Sequence, residues 1–226
     1  MQLSRLVNSA LHPLGVELRR LPAEKPVRQR EPDKRLRHFQ HLVELIEDVP
    51  GDIVECGVGA GKSLCMLGLL TEGGKQPRRV WGFDSFKGLP EPAPEDEPDT
   101  DPRTIRAGKY AYRETDVRAR MVSYGVSKEQ LKKRFVFVKG YFPDSFPQYS
   151  GGPIALLHLD VDLYQSYKHC LEWFAPLVAP GGVIAFDEYR HATWAGATRA
   201  IEEYFGSPPP GIQKAPGWNR WFLIKG

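Results

Sequence analysis

From Asp52 onward, short apolar runs and helical stretches follow one another so regularly that few folds remain open to the chain. Asp52–Cys56 reads as a buried strand, 61–71 as a helix, 79–84 as a strand, and 113–124 as a second helix. Strands over 134–139 and 154–160, a helix over 166–178, a strand over 183–188 and a helix over 195–205 complete the series. Alternation of this kind requires a doubly wound α/β fold around a mostly parallel sheet, because each right-handed crossover returns its helix to one face. Residues 220–225 supply a last strand, antiparallel after the Pro- and Gly-rich turn at 206–217. No internal repeat interrupts this order.

With 226 residues, 41% of them hydrophobic and 26% charged, the chain suits one α/β domain with a full core. No apolar run approaches the roughly 20 residues needed to span a bilayer. The net charge of +3 is uneven, since residues 1–38 hold nine Lys and Arg against four Asp and Glu. The basicity therefore belongs to the N-terminal extension, and the core offers no nucleic-acid-binding face. Cys56, Cys65 and Cys170 lack C-x-x-C spacing and have apolar neighbours, which fits buried thiols in a reducing, cytoplasmic setting.

Leu3, Leu6, Val7, Ala10, Leu11 and Leu14 recur at helical spacing ahead of Arg19 and Arg20. An amphipathic helix of this kind rests either on anionic lipid, as a peripheral membrane contact, or on the domain or a second subunit in a homo-oligomer. Residues 22–35 are charged and broken by prolines, as in a linker. The expected organisation is thus an extension and linker over 1–35 and a folded domain over 36–226. Residues 90–102 carry six acids and five prolines and read as a mobile loop beside the second strand, either a lid over a ligand or a solvated insertion with no role.

Three motifs carry chemistry. In the first, Glu55-Cys56-Gly57-Val58-Gly59-Ala60-Gly61-Lys62-Ser63, small residues between a strand and a helix let the backbone approach a ligand closely. Cys56 stands where a phosphate-binding loop ending in Gly61-Lys62-Ser63 would need glycine, and Lys62 stands where a dinucleotide-binding turn would need it. What survives is an acidic-x-G-x-G-x-G turn, in which Glu55 suits the amino group of an amino-acid-like ligand. In the second, Asp84 closes the next strand, where a carboxylate bonds ribose hydroxyls or serves as a helix cap. The third is a cluster of acids, Asp160 and Asp162 at one strand end and Asp187-Glu188 at another, on the same rim as the glycine turn. Four carboxylates at close range need a cation or protons, and hard oxygen donors suit Mg²⁺ or Ca²⁺. His158 alternates with buried leucines as a core histidine would, while His191 is open to a substrate role.

In this order, the glycine turn, Asp84 and the rim acids resemble class I S-adenosylmethionine-dependent methyltransferases. More narrowly, Asp84-Ser85-Phe86-Lys87-Gly88-Leu89-Pro90, the 140–147 segment Gly-Tyr-Phe-Pro-Asp-Ser-Phe-Pro, Leu159-Asp160-Val161-Asp162-Leu163-Tyr164 and Asp187-Glu188-Tyr189 resemble the macrocin O-methyltransferase family over residues 36–205. That resemblance implies a seven-stranded, Rossmann-like sheet and Mg²⁺-assisted methylation of sugar hydroxyls on natural products. It implies that Glu55, Gly57, Gly59, Asp84 and Ser85 bind S-adenosylmethionine, that Asp160, Asp187 and Glu188 hold the metal, and that Asp162 takes the hydroxyl proton. Glu188 stands where the family usually has a second Asp. Two other readings compete, a P-loop-type ATPase or kinase built on Gly61-Lys62-Ser63 and a non-catalytic scaffold that keeps the fold.

Overall fold

The computed structural model describes residues 34–96 and 105–226. The amphipathic helix expected near the N-terminus, most of the expected linker, and residues 97–102 of the acidic loop lie outside the described residues. The described chain opens with α1 (Lys34–Leu45), which buries His38, Phe39 and Leu42 on one stripe. Then follow β1 (Asp52–Cys56), α2 (Lys62–Leu70), β2 (Val80–Asp84), α3 (Glu114–Ser123), α4 (Lys128–Arg134) and β3 (Phe135–Lys139). The second half runs β4 (Ile154–Leu159), α5 (Tyr164–Phe174), β5 (Val178–Phe186), α6 (Ala195–Phe205), β6 (Gln213–Lys214) and β7 (Trp221–Ile224).

The seven strands lie in the order β3-β2-β1-β4-β5-β7-β6. Strands β1 to β5 are parallel, and β7 runs antiparallel to both β5 and β6. Chain order reverses direction between β1 and β4, the point where open α/β sheets bind ligands beyond the carboxyl ends of their strands. Backbone bonds set those ends side by side. The Asp160 N–H donates to the Cys56 carbonyl at 3.0 Å, and the Asp187 N–H to that of Leu159 at 3.0 Å.

Side chains alternate across the sheet and build two cores. Val54, Cys56, Leu157 and Leu159 face α5 and α6 with Phe174 and Ile201, while Ile53, Leu156 and Val183 face α1 and α2 with Phe39 and Leu64. The helix expected over 166–178 ends at Phe174 in a short 3₁₀ turn, because Pro176 has no N–H with which to continue it. Strand β5 correspondingly starts at Val178, with a bulge at Pro180-Gly181 that shifts its pairing from Ile154↔Val178 to Leu156↔Val183. Helix α4 was not expected, although its capping box, Ser127 with Gln130, is written in the sequence.

Candidate active site

A cavity of about 400 Å³ opens at the switch point, a size suited to small-molecule ligands. The glycine turn forms one wall. Gly57 has φ +87°, and a Cβ there would lie 1.8 Å from the Asp160 carbonyl oxygen, so only glycine lets β1 and β4 end this close together. Gly59, at φ +50°, has no heavy atom within 4 Å of its would-be Cβ. Its N–H donates to Asp84 Oδ2 at 2.9 Å, while Asp84 Oδ1 accepts from the Phe86 N–H at 2.7 Å. Burial raises the Asp84 pKa, against the backbone donors that hold it charged. Ser85 lines the cavity, and its hydroxyl closes the following turn onto the Gly88 carbonyl at 2.8 Å.

Glu55 is placed differently from its expected cofactor contact. It shares the β1 face of Ile53, pairs in register with His158, and is fully buried beneath the cavity, outside its lining. Its Oε1 lies 2.9 Å from His158 Nδ1, and Oε2 has no partner. Burial disfavours charge on both groups and raises the Glu55 pKa, while the bond to the adjacent carboxylate raises that of His158. His158 is thus a satisfied core histidine, as its alternation with leucines suggested.

The four rim acids converge, but not in the grouping expected. Ligand atoms of Asp160, Asp162 and Glu188 lie within 4.8 Å of one another, and so do those of His158, Asp160 and Asp187. Asp187 is turned toward β7, where Arg220 grips both its oxygens at 2.6 and 2.7 Å. Burial alone would raise the Asp187 pKa, yet this guanidinium lowers it. The other three move the opposite way. Burial and the charge of Asp187 push Asp160 well up and Asp162 up to about 7. Glu188 rises through burial and the charges of Asp160 and Asp187. Tyr167 Oη sits 2.6 Å from Glu188 Oε2 and 2.9 Å from the Leu159 carbonyl. The cluster is therefore charge-frustrated, and its oxygen donors fit a hard divalent cation that would relieve it.

Asp162 sits at the tip of a tight turn, with φ +59° and the Leu163 N–H donating to the Val161 carbonyl at 2.6 Å. Tyr110, Tyr112, Tyr141, Phe142, His191 and Trp194 also line the cavity. Sequence reasoning missed Arg35 and Arg220 among the lining residues. Arg35 reaches Ser63 Oγ from α1 at 3.0 Å, across a separation no local motif could reveal. Within the described part of the acidic loop, Asp96 is buried, at 3% exposed, and bonded to α5, while Glu91 and Pro94 face solvent.

A model of the macrocin O-methyltransferase (TylF) family matches residues 27–207. The 8-demethyl-8-(2,3-dimethoxy-α-L-rhamnosyl)-tetracenomycin-C 4'-O-methyltransferase of Streptomyces olivaceus is 38% identical over 78% of this chain and 68% of its own length. The demethyldecarbamoylnovobiocin O-methyltransferase of Streptomyces niveus is 33% identical over 76% of this chain and 65% of its own. The matches span about two thirds of these relatives. Among solved structures, the O-methyltransferase NovP superposes with a TM-score of 0.69 at 27% identity, covering 85% of this chain and 79% of that one.

Proposed function

The chain belongs to the macrocin O-methyltransferase family, and from that membership we propose that it transfers the methyl group of S-adenosylmethionine to a sugar hydroxyl of a glycosylated small molecule. The observation that carries this reading is the convergence of the glycine turn and the acid cluster on one cavity. The relative whose name specifies a rhamnosyl-tetracenomycin substrate supports the choice of acceptor.

Bound S-adenosylmethionine supplies an activated methyl group, so the chain's own part is to place and deprotonate the nucleophile. Gly57 and Gly59 let the cofactor approach the backbone, and Asp84 accepts from its ribose hydroxyls while still bonded to Gly59. A divalent cation held by Asp160 and Glu188, and by Asp187 where it leaves Arg220, would lend Lewis acidity to the acceptor hydroxyl. Asp162 accepts the proton of that hydroxyl on a carboxylate oxygen as the oxygen attacks. The aromatic wall of Tyr110, Tyr141 and Trp194 offers ring faces to the apolar side of a sugar.

Asp162→Asn tests the assignment, because it keeps the shape and removes the base. Calorimetry with S-adenosylhomocysteine should give an unchanged affinity, and turnover should fall by about 10²- to 10⁴-fold. Wild-type turnover in this variant would remove Asp162 from the reaction.

A further inference from the structure

Asp162 is held in an unusual conformation by a short chain of bonds that ends at a residue in the loop after β2. A positive φ at a non-glycine residue, closed by a hydrogen bond between its two neighbours, describes a γ-turn of the rare, strained hand. Strain of this kind persists only where the surroundings enforce it. Helix α5 begins two residues later, and its N-cap residue, Leu163, provides no side-chain cap. The cap comes from afar. Asp96 Oδ1 accepts the Tyr164 N–H at 2.7 Å, and Asp96 Oδ2 accepts the Ala93 N–H at 2.9 Å.

Asp96 is also wedged against the other arm of the site. A Cβ on Gly196, at the start of α6, would lie 2.2 Å from Asp96 Oδ1, so that helix is kept bare for the carboxylate. Leu89 and Ala93 pack on the core ahead of it, and Leu89 donates to the Lys109 carbonyl at 2.8 Å and accepts from the Gly108 N–H at 2.9 Å. The 89–96 segment is therefore a strap fixed at both ends, with Leu89 and Pro90 in the cavity wall.

We propose that Asp96 is a positioning residue that locks the Asp162 turn in place through the Tyr164 amide and so aims the carboxylate at the acceptor. This rests on the reading of Asp162 as the proton acceptor. A charge-assisted bond to a buried helix N-terminus is strong enough to hold such a turn, and a misplacement of about 1 Å in a reacting group can cost about 100-fold in rate. Gly196 is the second half of the device, because a methyl group there would press on Asp96 Oδ1 and, at 3.0 Å, on Tyr164 Cβ, and so part the carboxylate from the amide.

The test uses the full chain with Asp96→Ala, Asp96→Asn and Gly196→Ala, each alone and Asp96→Ala also in an Asp162→Asn background. Hydrogen exchange over residues 160–166 should quicken at least tenfold in Asp96→Ala while β4 stays protected. S-adenosylhomocysteine affinity by calorimetry should stay within twofold. Turnover with an acceptor sugar should fall at least tenfold at constant KM for S-adenosylmethionine, less so in Asp96→Asn, which keeps one acceptor oxygen. Gly196→Ala should reproduce the split from another helix, and Asp96→Ala should cost less than twofold when Asp162 is already Asn. Unchanged exchange over 160–166, or an equal turnover loss in both backgrounds, overturns the proposal. An inactive Asp162→Asn beside a fully active Asp96→Ala sinks this inference alone, whereas an active Asp162→Asn sinks the parent reading.

Discussion

Two glycines two residues apart fail in different ways. Gly57→Ala combines a left-handed backbone with a clash against the Asp160 carbonyl, so it should lower stability by about 2 to 4 kcal/mol and abolish S-adenosylhomocysteine binding. At Gly59 the new methyl meets no protein atom, and φ +50° costs an alanine only about 1 to 2 kcal/mol. That variant should fold yet bind S-adenosylhomocysteine at least tenfold more weakly, measured by calorimetry beside thermal melts. Equal affinity in Gly59→Ala would mean that the cofactor does not approach this turn. Arg220 poses a different question, because it neutralises an acid expected on the metal. Arg220→Met leaves Asp187 among three other carboxylates and should destabilise by about 3 to 5 kcal/mol. Mg²⁺ should restore more melting temperature in the variant than it adds to the wild type, since a cation bound only by the folded state stabilises it. An identical Mg²⁺ response in both proteins would show that Asp187 takes no part in holding a cation.

At the scale of elements, the pattern of strands and helices was legible because buried parallel strands and amphipathic helices have different periods. The carboxyl-rim placement of Gly57, Asp84, Asp160 and Asp187 followed from that pattern alone. The partners of these residues did not. Arg220 faces Asp187 because β7 pairs antiparallel with β5 in the register Phe186↔Trp221, which puts the two side chains one step beyond the ladder. No spacing in the chain encodes that register. Glu55 was misjudged for a related reason. Its strand position directs it to the α1 face, and only the β1–β4 register reveals His158 beside it. Asp96 hid inside a run of acids and prolines whose composition signals solvent exposure. Helix α1 carries a prediction of its own through His38, which is buried with an unpartnered Nδ1 against Phe39 and Trp218. Burial, reinforced by His158, lowers its pKa to about 3. The unfolded chain protonates this group near pH 6.5 while the folded one does not, so stability is present above that pH and is lost as pH falls toward 3. The loss at pH 5 should be about 2 kcal/mol, and His38→Phe should flatten it in denaturant titrations run at pH 5 and pH 8. Parallel acid profiles for the two proteins would contradict the assignment.

The molecule as a whole is a sheet whose switch point gathers a glycine turn, an acid cluster and an aromatic wall around one cavity. Among the described residues, no helix is long and apolar enough to cross a membrane. The acid cluster sets the cost of this architecture, since three of its four carboxyls are pushed toward protonation by burial and by one another. A hard cation, or the loss of charge, would resolve that conflict. The most direct measurement is transfer of an isotopically labelled methyl group from S-adenosylmethionine to a panel of rhamnosides, free and attached to an aglycone, with Mg²⁺ and with a chelator. The account predicts a singly methylated sugar product whose formation the chelator suppresses and Asp162→Asn slows by about 10²- to 10⁴-fold. Label that never leaves S-adenosylmethionine for any acceptor, in a protein that also fails to bind S-adenosylhomocysteine, would contradict it.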